Sequence, residues 1–170
     1  MNSVDEVWEW YNAARATTQR LARVASKYWD QIEGDNRLRN LDRAKIVADA
    51  KLTESPLNDL AIVMMFSVFE AAVRRLLAAQ LERELPSITH PMVLGAVRER
   101  LETLKTRSFA DVLKSFSKGG HANLAEEVRQ VRIYRNWISH GRAGKPVNNV
   151  DPQTARNRLN RFLELLQPAR

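Results

Sequence analysis

The apolar positions of this chain recur in steps of three and four and do not alternate. Along 4–32, Val7, Tyr11, Ala14, Thr18, Leu21, Ala25, Tyr28 and Ile32 form a seam on one helical face, widened by Trp8, Val24 and Trp29. The Glu33-Gly34-Asp35-Asn36-Arg37 stretch has turn composition. A weaker helix is predicted over 38–52, with Leu41, Ile46 and Val47 apolar, and Thr53 to Pro56 is expected to break it. Ser55 then caps, with Pro56 at the first helical position, a long helix over 57–85. In that helix Leu60, Met64, Val68, Ala72 and Leu76 make one row, and Ala61, Met65, Phe69, Val73 and Leu77 the next. Apolar nearly all round, it is predicted to be the buried central element.

Pro86 and Pro91 bracket a break. A shorter helix follows over 91–104 on Val93, Leu94, Val97, Leu101 and Leu104, and Ser108 caps another carrying Phe109, Val112, Leu113 and Phe116. After the Lys118-Gly119-Gly120-His121 loop, a helix starting near Asn123 runs to about His140. A basic, Gly-containing loop follows, and Asp151-Pro152 opens a last helix with Ala155, Leu159, Phe162, Leu163 and Leu166 on one face. The fold class expected is all-α, a bundle of about five to seven helices.

Composition narrows the chemistry. The 170 residues suit one compact unit, and 44% hydrophobic content suits a packed core. The formal net charge of +7 favours a phosphate-bearing partner or an anionic surface. Without cysteine there is no disulfide, thiol nucleophile or thiolate metal ligand. The three histidines stand at no metal-ligand spacing, so no metal and no cofactor is expected. The first residues lack a basic head followed by an apolar run, and the most apolar run, 60–69, is too short to span a bilayer. A cytoplasmic protein with no membrane partner is the expectation.

Arg135 is the position that breaks the pattern. At about 100° per residue it falls among Leu124, Val128, Val131 and Ile138, on the apolar face of its helix. A guanidinium cannot shed its charge, so it must meet a carboxylate there or face a pocket. Glu70, one turn before Arg74 on the central helix, is a candidate partner; Glu and Arg four apart are also an ordinary stabilising helix pair. His140 lies about 140° round a straight helix from Arg135, so the two converge only through a chain break at Gly141, a distorted last turn or a second subunit. An imidazole just before a terminal glycine also serves simply to meet the last carbonyls of a helix.

The run Arg135-Asn136-Trp137-Ile138-Ser139-His140-Gly141 resembles the signature of the HEPN superfamily (higher eukaryotes and prokaryotes nucleotide-binding), in which four to six residues separate Arg from His and Asn often follows the Arg. Glu70-Ala71-Ala72-Val73-Arg74 resembles its second, looser motif. The resemblance covers roughly 55–166, so the division it implies is an N-terminal helical extension at 1–54, packed on the same unit as a HEPN-like bundle at 55–170. It implies a metal-independent endoribonuclease acting by 2′-OH attack, in a toxin–antitoxin or anti-phage setting, as a homodimer with a composite site. Arg135, His140 and Asn136 would be catalytic, with Glu70 and Arg74 supporting them. Imidazole suits a general base or acid near neutral pH, and the guanidinium fork suits phosphate oxygens.

Lys118, Arg142 and Lys145, in loops expected near this site, are candidates for RNA phosphate contacts. Tyr134, Trp137 and Phe69 are better explained as core than as base-stacking platforms. Superfamily toxins silenced by a partner nucleotidyltransferase carry Tyr two residues after the His. Arg142 stands there instead, which argues against that modification and leaves open an antitoxin protein of another kind or a stand-alone defence role. The competing expectation is a non-catalytic module that binds RNA, nucleotide or protein, or that dimerises.

Overall fold

The computed structural model describes residues 1–32, 42–146 and 148–167. All regular structure among them is helical: α1 (Val4–Lys27), α2 (Trp29–Ile32), α3 (Arg43–Glu84), α4 (Pro91–Thr106), α5 (Phe109–Lys114), α6 (Ala122–Ser139) and α7 (Pro152–Leu166), with 3-10 turns at Leu85–Ser87 and Gly119–His121. The chain is thus an all-α bundle. The expected turn at 33–37, together with Leu38 and Leu41, lies outside the described residues.

Caps set most helix starts. Ser3 accepts a hydrogen bond from the Glu6 amide, Ser108 from Asp111 and Asp151 from Thr154, each satisfying an amide that has no partner within its own helix.

α3 is the central helix, but it is longer than the apolar pattern predicts. The expected break at 53–56 does not occur, and Pro56 sits inside a helix of 42 residues. The residue expected to cap a new helix, Ser55, is therefore internal. Residues 51–56 are exposed, so water can reach the Leu52 carbonyl that Pro56 cannot serve. Antiparallel α1 flanks Pro56 on both sides: Tyr11 donates to Asn58 at 2.7 Å, Arg15 pairs with Glu54 at 3.6 Å, and Arg43 donates to the Ser26 carbonyl at 2.6 Å. Residue 54, the last of the expected extension, consequently falls within α3.

The core forms where α1, α3, α6 and α7 meet. Phe66, Phe69, Phe109 and Phe162 interlock there with ring centroids 5.5–5.8 Å apart, mostly edge to face. Val4, Val7 and Tyr11 of α1 belong to this same cluster. The far end of the α1 seam does not: Leu21 and Tyr28 are about half exposed, and Tyr28 ends the helix. Among the described side chains of α4 only Leu104 is buried, whereas Val93, expected on its apolar stripe, is exposed. α6 runs antiparallel to α7, with Arg158 bonded to Gln130 and Arg161 to Glu127. It also runs antiparallel to α3. No helix among the described residues is long and apolar enough to cross a membrane.

Candidate functional site

Arg135 takes the place its helical angle gives it. Val128 and Val131 on the same face are fully buried, and the Arg135 guanidinium lies 5.0 Å above the ring of Phe66, a residue with no exposure. Its Nη2 stands 3.6 Å from Oε2 of Glu70, and its Nη1 donates to Asn136 Oδ1 at 3.0 Å. Its Nε is buried without a partner. About a quarter of the side chain remains exposed. The site therefore holds a fixed cation that is anchored on one side and open on another.

Glu70 is the hinge of the cluster. Its Oε1 accepts from Arg74 Nη2 at 2.7 Å and from Nε at 3.3 Å, so the i,i+4 pair and the Arg135 pair share one carboxylate. Arg74 is a structural clamp. Its Nη1 donates to the Leu104 carbonyl and its Nη2 to the Arg107 carbonyl at 2.9 Å, tying α3 to the end of α4. Those two carbonyls stand at a helix end, where no intrahelical amide serves them.

His140 is the C-cap of α6 and is exposed. Gly141, at φ +74°, donates to the Ile138 carbonyl, and Arg142 donates across it to Trp137 at 2.9 Å. This is the left-handed glycine termination expected at this point. The imidazole makes no hydrogen bond among the described residues.

The loop beyond is riveted rather than loose. Arg142, itself at φ +59°, pairs with Asp59 of α3, donates to Ser55 Oγ at 3.2 Å and lies 5.5 Å above the Trp137 ring. Trp137 Nε1 donates to the Gly144 carbonyl at 3.0 Å.

The structure thus brings together Glu70, Arg74, Arg135 and Asn136, and places His140 on the same helix beyond them. Arg142 is engaged in holding the loop. Lys145 is exposed in that loop. Lys118 is also exposed, but it is not near the site: it precedes the opposite end of α6, about 27 Å from His140 along an 18-residue helix. Phe69 and Tyr134 are core residues, and burial raises the Tyr134 phenol above its ordinary value.

Two contributors escaped the sequence reading. Phe66 lies beneath Arg135. Asp59 fixes Arg142, and its signal is visible in retrospect as the one charged residue in the apolar run 57–69. Among the described residues no three or more His, Asp or Glu side chains gather as a metal-ligand group. Comparison with family models, with curated proteins and with solved structures gave no match.

Proposed function

We propose that this chain is a metal-independent endoribonuclease of the HEPN type, acting as a homodimer in a toxin–antitoxin or anti-phage setting. The observation that carries the reading is on α6. A guanidinium at a core position keeps a quarter of its surface, with a long ion pair to Glu70 and a hydrogen bond to its neighbour Asn136, while an imidazole with no hydrogen-bond partner among the described residues stands five residues on. Neither feature serves packing well. Both suit an anionic substrate that arrives from outside.

The chemistry assigns one role to each group. His140 accepts the proton of a ribose 2′-OH as that oxygen attacks the adjacent phosphorus. The P–O5′ bond breaks, and the departing 5′-oxygen takes a proton from the imidazolium of the second subunit. The products are a 2′,3′-cyclic phosphate and a 5′-OH. Arg135 stabilises the charge that builds on the phosphoryl oxygens, and Asn136 and Glu70 hold its fork in orientation. A single chain sets its His140 round the helix from Arg135, so a second copy completes the site.

The test is cleavage of single-stranded RNA in EDTA, with the ends identified by mass. Arg135→Ala and His140→Ala, each folded by circular dichroism, are expected to lose activity, by the 10²–10⁴-fold typical of lost acid–base or charge-stabilising groups. Unchanged cleavage in both would sink the proposal.

One feature favours a non-catalytic binding module instead. Glu70 already presents a carboxylate to Arg135, where a phosphate would have to compete. Salt-sensitive RNA binding without product would select that reading.

A further inference from the structure

Two arginines on α6 have a buried Nε without a hydrogen-bond partner, Arg135 and Arg132. Arg135 has Glu70 and Asn136. Arg132 has no ion pair and no hydrogen bond among the described residues. Its Nε is cut off from water while the rest of the fork stays open to solvent, so the side chain is held at this position with donors left to serve a ligand.

Arg132 opens onto a pocket of about 350 Å³ between α5 and the first half of α6. Ala110, Leu113 and Ala125 supply an apolar wall, and Ser117 adds a hydroxyl. The other charges lining it are already matched: Arg129 to Glu126 at 2.5 Å and Lys114 to Asp111 at 2.9 Å. The uncompensated charge there is the Arg132 guanidinium. The volume lies at the small end of the roughly 300–1,000 Å³ of ligand pockets, the size of a single nucleotide.

Register links this pocket to the site. Arg132, Asn136 and His140 follow one another at four-residue steps, so they share one side of α6, with Arg132 and His140 about 12 Å apart along the axis. We propose that the α5–α6 pocket is a subsite for one nucleotide of a single-stranded RNA lying along α6, its base against Ala110, Leu113 and Ala125 and its phosphate on Arg132. This rests on the ribonuclease reading of Arg135 and His140.

The test uses the full chain carrying His140→Ala, so that RNA is bound and not turned over. Binding of a fluorescent single-stranded oligoribonucleotide is followed by anisotropy over a range of salt, with and without Arg132→Met. The expected result is about tenfold weaker binding with Arg132→Met and a salt slope shallower by about one. The melting temperature should be unchanged or raised, since methionine leaves no orphaned Nε. If the parent binds RNA and Arg132→Met alters neither affinity nor slope, the subsite is overturned and the ribonuclease reading stands. A lower melting temperature with unaltered affinity marks Arg132 as structural and also overturns it. If the parent binds no RNA, both proposals fail together.

Discussion

Arg135 of α6 and Glu70 of α3 face each other across the core at 3.6 Å, over the ring of Phe66. The same carboxylate holds Arg74, so one negative charge serves two guanidinium groups. Each of these side chains is about three quarters buried, which leaves little water to replace a lost partner. Glu70→Gln is therefore expected to lower unfolding free energy by about 1–3 kcal/mol. Combined with Arg135→Met, the double change should cost less than the sum of the two, with a coupling of about 0.5–1 kcal/mol. Urea unfolding of the four proteins at pH 7 gives both quantities. A coupling of zero would mean that the 3.6 Å approach contributes nothing to stability.

This pair was legible in the sequence because both residues violate a periodic pattern. Arg135 occupies an apolar register, and Glu70 follows directly on the apolar row of the central helix. The caps at Ser108 and Asp151 and the glycine termination at Gly141 were legible for a similar reason: each is a local device whose partners lie within a turn. The Asp59–Arg142 pair joins residues 83 apart in the chain and has no local signature. The distance of Lys118 from His140 follows from the length of α6, and nearness in a list of loops does not reveal it. The exposure of Leu21 and Val93 was hidden because a seam of apolar residues says which face would be buried, not how much of it finds a partner.

Pro56 is where local grammar and tertiary packing disagree. Proline inside a helix removes one hydrogen bond and crowds the preceding turn, at a cost of about 3 kcal/mol in a regular interior. Here the helix continues with α1 holding it on both sides of Pro56 through Tyr11–Asn58, Arg15–Glu54 and Arg43–Ser26. Pro56→Ala should restore an amide to the Leu52 carbonyl and raise stability by about 1–3 kcal/mol. The urea midpoint should rise with its slope unchanged. A fall would show that the segment gains more from the proline than the missing hydrogen bond costs.

The loop after His140 is held by conformation and by charge, and the two can be separated. Gly141 has φ +74°, and an added Cβ would meet nothing within 4 Å, so Gly141→Ala carries only the backbone penalty of about 1 kcal/mol. Asp59→Ala leaves that backbone chemistry alone and removes the carboxylate that pairs with Arg142. Hydrogen exchange should show the Gly141 and Arg142 amides losing protection in Asp59→Ala while amides in the middle of α6 keep theirs. Equal protection in parent and variant would mean that the glycine termination alone secures the loop.

The junction of α1 with α7 predicts how stability depends on pH. Asp5 accepts from Arg156 Nε at 2.8 Å and from Asn160 Nδ2 at 3.0 Å. The Arg156 bond holds its carboxyl below the usual aspartate range, with burial opposing and Asn160 assisting. At Asp151 burial is the largest influence and pushes upward, but the side-chain and backbone hydrogen bonds from Thr154, with smaller backbone contributions, leave the carboxyl lowered overall. A carboxyl that is more acidic when folded binds its proton more tightly when unfolded. Its contribution is therefore complete above the unfolded value of about 4 and is lost as pH falls through the folded value. These two groups should add no slope between pH 5 and 7 and a decline in melting temperature below about pH 4. Asp5 is half exposed, so its share is small. The decisive comparison is Asp5→Asn against the parent. The variant should melt lower at pH 7 and converge with the parent as pH falls below the folded value of Asp5, where both carry a neutral side chain at this position. A gap that persists unchanged at low pH would assign the loss to packing rather than to the Asp5–Arg156 charge pair.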